Sequence, residues 1–372
     1  MSELARILRE IIATEGPIPL ETWMSYALAH PAHGYYMTRD PLGAAGDFTT
    51  APEISQMFGE LIGLWAAQYW AAMGAPATLR LVELGPGRGV LMQDFLRAAR
   101  ALGGFPAALD VHFVETSPVL AEAQRARLEH EGAPVTWHHE LDTVPEGPAI
   151  VIANEFFDAL PVRHYVKAAN GWCERLVGLD ARGDFAFTRN PVPEDSLRAT
   201  APEGEILEIA AIAQKTMTAL AARLARQGGA ALIVDYGHAE TCLGETLQAM
   251  RRHAFVDPLR DPGEADLTAH VDFAALARAA RAGGAQTFGP VTQGQFLLGL
   301  GIVERAEALM RNATAKQAAD IEAALVRLVS DDEEVELAAG KVRGMGGLFK
   351  VLAVAQHGLP RPAGFGEDQA TP

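Results

Sequence analysis

The sequence is short of several things at once, and each shortage excludes something. It holds two cysteines in 372 residues, Cys173 and Cys242. Two thiols cannot build a disulfide framework or a structural zinc site, and they suit a reducing cytosol. Positive charge is also scarce, with 31 Lys and Arg against 47 Asp and Glu, a net charge of −16. A general phosphate-backbone binder needs clustered Lys and Arg, so no nucleic-acid partner is expected. Residues 1–20 lack the apolar stretch of a secretory signal. They also carry Glu3, Glu10 and Glu15, against the acid-poor habit of transit peptides. A cytoplasmic location is expected on that ground. The uncharged run Leu61 to Leu79 is broken by Gly74-Ala75-Pro76. What remains falls short of the ~20 residues a bilayer requires, so no membrane insertion is expected. His138-His139 has no third ligand at metal-site spacing, so no metal is expected.

What is present is core-forming material. Hydrophobic residues make up 49% and charged residues 21%, enough for a large buried core. The length suits one enlarged domain or two smaller ones. Residues 1–75 read as a helical segment, with Leu4, Ile7, Leu8, Ile11 and Ile12 at helical spacing. A loop rich in Gly, Pro and aromatics covers 33–53, followed by a helix over 54–73. That helix serves a homodimer as well as a core, and both remain open.

From residue 79 short apolar runs alternate with helical stretches. Strands are predicted at 79–84, 110–115, 135–137, 149–153 and 230–235, with later ones at 286–288 and 348–355. This alternation predicts an α/β protein built on a doubly wound, mostly parallel sheet. Asn170-Gly171 and Arg182-Gly183-Asp184 mark turns of an antiparallel insertion over 162–190. Residues 206–227 read as one long helix, 237–270 as loop, and about 291–345 as a helical insertion before the last strand. The main α/β unit is expected over 76–358, and 359–372 reads as a disordered tail.

The most informative stretch is Glu83-Leu84-Gly85-Pro86-Gly87-Arg88-Gly89, between a strand and a helix. The dinucleotide fingerprint wants its third glycine at Val90, and no Gly-Lys-Ser/Thr follows. Glu83 would repel a pyrophosphate and suits a cation. S-adenosylmethionine, with an ammonium and a sulfonium and no phosphate, fits Glu83, Gly85, Gly87 and Gly89. Glu115 ends the next strand, where an acid can accept both ribose hydroxyls. Glu115 as a local cap for the following helix is compatible with that role. Leu141 is the candidate for packing against adenine.

The fourth strand runs into Asn154-Glu155-Phe156-Phe157-Asp158-Ala159-Leu160-Pro161. Ligands of open α/β sheets bind beyond the carboxyl ends of the strands, so this segment faces the reactive centre. Asn154 is a candidate cofactor contact. Glu155 and Asp158 are the candidate catalytic residues, because two carboxylates favour a cationic acceptor such as a guanidinium. Asp235 and His238 end the fifth strand within reach of a substrate. A carboxylate that only caps a turn is the plainer alternative for Asp158.

Together with Gly46-Asp47-Phe48-Thr49-Thr50-Ala51-Pro52-Glu53-Ile54-Ser55, these stretches resemble the MidA-like class I methyltransferases. Asp235-Tyr236-Gly237 and Leu267-Thr268-Ala269-His270-Val271-Asp272-Phe273 are similar to that family too. Its members are relatives of the mitochondrial complex I assembly protein arginine methyltransferase. The resemblance runs over residues 15–357. It implies a seven-stranded class I (Rossmann-like) fold, S-adenosylmethionine as methyl donor, and a protein substrate carrying the target arginine. In the mitochondrial member the acceptor lies on a core subunit of respiratory complex I. The resemblance also suggests that the loop with Phe48, Thr50 and Glu53 closes over the cofactor as a lid; a fixed structural loop is the alternative. A small-molecule or amide acceptor, or an assembly factor that binds the cofactor without turnover, stays open at this stage.

Overall fold

The computed structural model describes residues 2–40, 50–338 and 340–366. Its centre is a sheet of seven main strands, labelled here in chain order: β1 (Leu79–Leu84), β2 (Leu109–Val114), β3 (Val135–His138), β4 (Ala149–Asn154), β5 (Gly229–His238), β6 (Gln286–Thr292) and β7 (Phe349–Ala355). The spatial order is β3-β2-β1-β4-β5-β7-β6. Strands β1 to β5 are parallel, β7 runs antiparallel to β5, and β6 pairs antiparallel with β7. The chain order reverses beside β1, where β1 lies between β2 and β4. A crevice opens at that point, beyond the carboxyl ends of the strands.

The strands of the middle are apolar because both faces are covered. Ala149 to Ala153 of β4 are all buried. On one face the helix Gln56–Ala72 packs through Phe58, Leu61, Ile62 and Trp65 against Val90–Ala99. The other face is covered by Ala211–Gln227 and Phe273–Ala282. Burial of such apolar surface contributes ~25 cal/mol per Å², which makes this two-sided core the main source of stability.

Two regions depart from expectation. Residues 206–209 are a strand, and the helix starts only at Ala211. Ile206, Leu207, Glu208 and Ile209 instead complete the free edge of Arg163–Ala168. A second sheet thereby forms from Ile18–Pro19, Arg163–Ala168, Gly171–Leu179, Phe185–Pro193 and Ile206–Ile209. The stretch read as loop over 237–270 contains a three-stranded sheet, Gln248–Arg251, Ala254–Val256 and Asp266–Thr268. These strands have three or four residues each, too few for a periodicity to show.

The helices Glu3–Glu15 and Leu20–Ala29 bury Leu4, Leu8, Trp23 and Met24 against both small sheets, not against the main one. The Trp23 indole donates to the Pro258 carbonyl at 3.1 Å. Residues 359–366 correct the expectation of a disordered tail. Leu359 and Phe365 are buried in the main core, and the Tyr69 hydroxyl donates to the Pro360 carbonyl at 3.1 Å. Two apolar anchors and that hydrogen bond offset the entropy of ordering a polar segment.

Candidate active site

Beyond β1, β2 and β4 lies a cavity of about 380 Å³, within the size range of small-ligand sites. The glycine loop forms its floor. Gly85 has φ +59° and Gly89 has φ +77°, left-handed values that disfavour any residue with a Cβ. A Cβ on Gly85 would also sit 3.0 Å from the Phe156 ring. Gly89 is the N-cap of Val90–Ala99, so this helix points its free amide groups toward the loop. Buried Gln124 braces the arrangement. Its amide donates to the Gly87 carbonyl at 2.7 Å and to Glu115 at 3.1 Å, and it accepts from the Trp137 indole at 2.8 Å.

Glu83, Gly85, Gly87, Glu115, Asn154, Glu155, Asp158, Thr50 and Glu53 all line the cavity. Gly89 stands behind the lining as the helix cap. Leu141 does not line it; it sits in the short turn Leu141–Thr143 and packs on the core face covered by Ala211–Gln227 and Phe273–Ala282. Phe48 lies outside the described residues. Glu115 accepts from the Ser117 amide at 2.7 Å, while Ser117 itself caps the helix Pro118–Leu128. Glu115 is therefore tied locally, yet a carboxylate has about four acceptor directions and keeps some for a ligand. Burial raises its pKa, and the Ser117 amide acts against that.

Asp235 is the hidden organiser. It is fully buried and does not reach the cavity, which corrects its expected place at the substrate. One carboxylate oxygen accepts from the backbone amides of Phe156, Phe157 and Asp158 at 3.1, 2.9 and 3.3 Å. Those bonds fix a tight turn in which Glu155 takes φ +50°, a left-handed value. Such a conformation costs ~1–3 kcal/mol and persists only when its surroundings over-determine it. Here it keeps Glu155 on the cavity wall.

The electrostatics are one-sided. Burial pushes the Glu155 carboxyl up to about 8, and the nearby charge of Asp158 adds to the effect. Asn154 donates to Glu155 at 3.1 Å and acts the other way. Burial also raises Asp158, against a hydrogen bond from the Tyr236 hydroxyl. Glu83 is raised by burial, and Asp235 by burial and then by the charges of Asp158 and Glu155.

Residues not expected from sequence complete the far wall. Tyr36, from the N-terminal segment, donates its hydroxyl to both oxygens of Asp266 at 2.9 and 2.8 Å. Asp266 and Thr268 come from the three-stranded sheet, and Tyr236 from the end of β5. The Tyr-Tyr pair at 35–36 and the similarity around 267–273 marked these neighbourhoods, but no spacing joins positions 36 and 266. Arg88 is the single cationic residue among the described lining residues. Its guanidinium lies 3.1 Å from Asp40 and 3.7 Å from Glu53.

These features test the fit of S-adenosylmethionine. Buried Glu83 Oε2, Asn154 Oδ1 and Asp158 Oδ1 have no hydrogen-bond partner, and all three residues line the cavity. Buried acceptors without donors are costly unless a ligand supplies them. A ligand rich in donors and positive charge, laid against bare glycine backbone, meets that requirement, so the residues fit. Glu83 and the glycine loop would hold its amino-acid part, and Glu115 its ribose.

A sheet of this order with a glycine loop, a ribose-positioned acid and unpaired acceptors defines a class I methyltransferase. Residues 61–291 match the family model described as "Putative S-adenosyl-L-methionine-dependent methyltransferase", and the chain belongs to that family. The chain is 40% identical over 337 residues to the zebrafish (Danio rerio) protein arginine methyltransferase NDUFAF7, mitochondrial. That match covers 83% of this chain and 79% of the relative. To the human protein of the same name it is 38% identical, covering 83% of this chain and 76% of that one. Among solved structures, a Burkholderia thailandensis protein bound to S-adenosyl-homocysteine superposes with a TM-score of 0.82. It is 31% identical, with 97% of this chain and 93% of that chain covered.

The fold expectation and the methyl donor stand with these findings: the chain is an S-adenosylmethionine-dependent methyltransferase. The cytoplasmic expectation does not stand, because the curated relatives are named as mitochondrial proteins. Acidic residues near residue 1 were a poor guide to compartment, since sorting is read by receptors and not by overall charge. Among the described residues no helix is long and apolar enough to cross a membrane.

Proposed function

We propose that this protein transfers a methyl group to an arginine nitrogen of a protein substrate. The observation that carries this reading is that Glu155, Asp158 and Asp266 line one cavity, where no cation among the described lining residues offsets them except the already paired Arg88. A guanidinium is the side chain that matches such a wall, because its planar fork meets carboxylates two bonds at a time. The names of the relatives agree with it. The resemblance drawn from sequence further points to a subunit of respiratory complex I as the acceptor.

S-adenosylmethionine, when bound, supplies an electrophilic methyl on sulfonium. The residues of the chain do the rest. Glu155 and Asp158 would orient the guanidinium and localise its charge, leaving one nitrogen with electron density to offer. Alignment of this kind can contribute roughly 7–11 kcal/mol toward the barrier. Glu155, ionised once cationic ligands occupy the cavity, would take the proton that the nitrogen sheds, and its raised pKa makes it a stronger base than an exposed carboxylate. Asp235 keeps the turn in place.

The test is incubation with labelled S-adenosylmethionine and lysate from cells lacking the gene, followed by mass spectrometry. Label on a polypeptide arginine is expected. Glu155→Gln and Asp158→Asn should each lower that transfer by a factor on the order of 100 or more. Their binding of S-adenosylhomocysteine, read by calorimetry, should change by less than about threefold. Label confined to small molecules would reject the arginine reading, as would full activity in both variants.

A further inference from the structure

The register of the three-stranded sheet carries information about the partner. Met250 pairs with Asp266 on one side and with Phe255 on the other. Residues directly opposite across antiparallel strands point to the same face. Asp266, Met250 and Phe255 therefore form a row on one face, with Thr268 and Gln248 beside it in register. The opposite face is the buried one, since Leu267 and Ala249 enter a core cluster and Val256 packs against it. The row begins inside the cavity at Asp266, which is 4% exposed, and ends at Phe255, which is 70% exposed. Phe255 is the most exposed of the large hydrophobic residues described, and nothing among the described residues covers it. The turn behind it is rigidly shaped, with Arg252 and His253 both at left-handed φ, as a tight hairpin demands.

We propose that this face is the docking track for the protein substrate, with Phe255 as an apolar anchor for the segment beside the target arginine. The inference rests on the arginine methyltransferase reading and adds how the polypeptide is held. Its ground is continuity, because the face that supplies Asp266 and Thr268 to the cavity runs unbroken to Phe255. Two strand spacings put Phe255 ~10 Å from Asp266, the span of about three residues of extended chain. The occupant is thus a polypeptide in extended form, with an apolar side chain about three residues from its arginine. Phe255 has no part in the cavity and none in the chemistry.

The experiment compares wild type with Phe255→Ser in the labelled-lysate assay over a tenfold or wider range of lysate concentration. The variant is expected to label the polypeptide about tenfold less at low concentration and to recover as lysate is raised. Its thermal midpoint and its shift with S-adenosylhomocysteine should equal those of wild type. Equal labelling at every concentration overturns the proposal. So does a loss that added lysate does not restore, or one accompanied by weaker cofactor binding. If sedimentation finds a wild-type dimer and a Phe255→Ser monomer, the face belongs to a second copy and the proposal falls. Failure of the arginine reading is distinguishable: wild type would then place label on another residue type or on no polypeptide.

Discussion

One wall of the cavity comes from strand ends of a single parallel sheet, and the other from a short helix, the end of β5 and a separate small sheet. The wall proposed for the cofactor is made of Glu83, Gly85 to Arg88, Glu115 and Asn154, each at the carboxyl end of a core strand or in the turn that follows. The acceptor wall joins Tyr36, Tyr236, Asp266 and Thr268, with a hydrogen bond spanning 230 residues between the first and third of these. The difference concerns what holds each wall. Backbone geometry holds the first, so it tolerates almost no side chain at the glycines. Side-chain contacts hold the second, so its members are open to graded change.

The strongest break of this comparison is Gly85→Ala. The new Cβ would need a left-handed conformation and would meet the Phe156 ring at 3.0 Å. Both the loop and the turn carrying Glu155 would have to move. A loss of S-adenosylhomocysteine affinity on the order of 100-fold is expected by calorimetry, with transfer falling alongside it. Near-normal affinity would show that the loop yields, and that backbone does not govern this wall.

A smaller effect is expected on the other side. Tyr36→Phe removes the hydroxyl that bonds both oxygens of Asp266 and leaves the ring packed edge-on against Tyr35. A hydrogen bond to a charged group contributes about 1.5–3 kcal/mol, or roughly 10- to 100-fold. That loss should fall on the KM for the polypeptide, with S-adenosylhomocysteine affinity held within about twofold. If cofactor affinity drops in step with KM, the two walls are not separable.

The same contrast explains what was legible in the sequence. Glu83, Gly85, Gly87, Glu115, Glu155 and Asp158 could be found because each sits at a fixed offset from an apolar strand. Parallel pairing followed from the β–α alternation for the same reason. Asp235 was visible as a strand-end acid, but its role was not, since three amide bonds to a turn 77–79 residues away leave no mark in spacing. Asp266 and Tyr36 were out of reach on similar grounds. The strand of Asp266 has three residues, Tyr36 sits in the single helical turn Tyr35–Thr38, and their meeting depends on how the helix Leu20–Ala29 packs on both small sheets. Residues 359–366 were missed for another reason. Its polar composition hid Leu359 and Phe365, which find places in a core built elsewhere in the chain.

The smallest expected effect joins both walls through protons. The Glu155 carboxyl is raised to about 8 in the folded protein, while an unfolded chain releases that proton near 4.3. Between those values the native state holds more protons than the unfolded one. Stability must then fall as pH rises through that window, and the contribution levels off above about 8. Glu83 and Asp235, raised by burial, act in the same direction. Without ligand, the thermal midpoint should therefore decline from pH 5 to pH 8. Glu155→Gln cannot ionise, so its decline should be shallower, by a midpoint difference of at most about 6 °C at pH 8. Cation binding works against the same protons, so S-adenosylmethionine should stabilise wild type more at pH 8 than at pH 6 and should do so less steeply in the variant. Parallel curves for the two proteins would mean that Glu155 is ionised in the free protein and that the ring of carboxylates is balanced without a ligand.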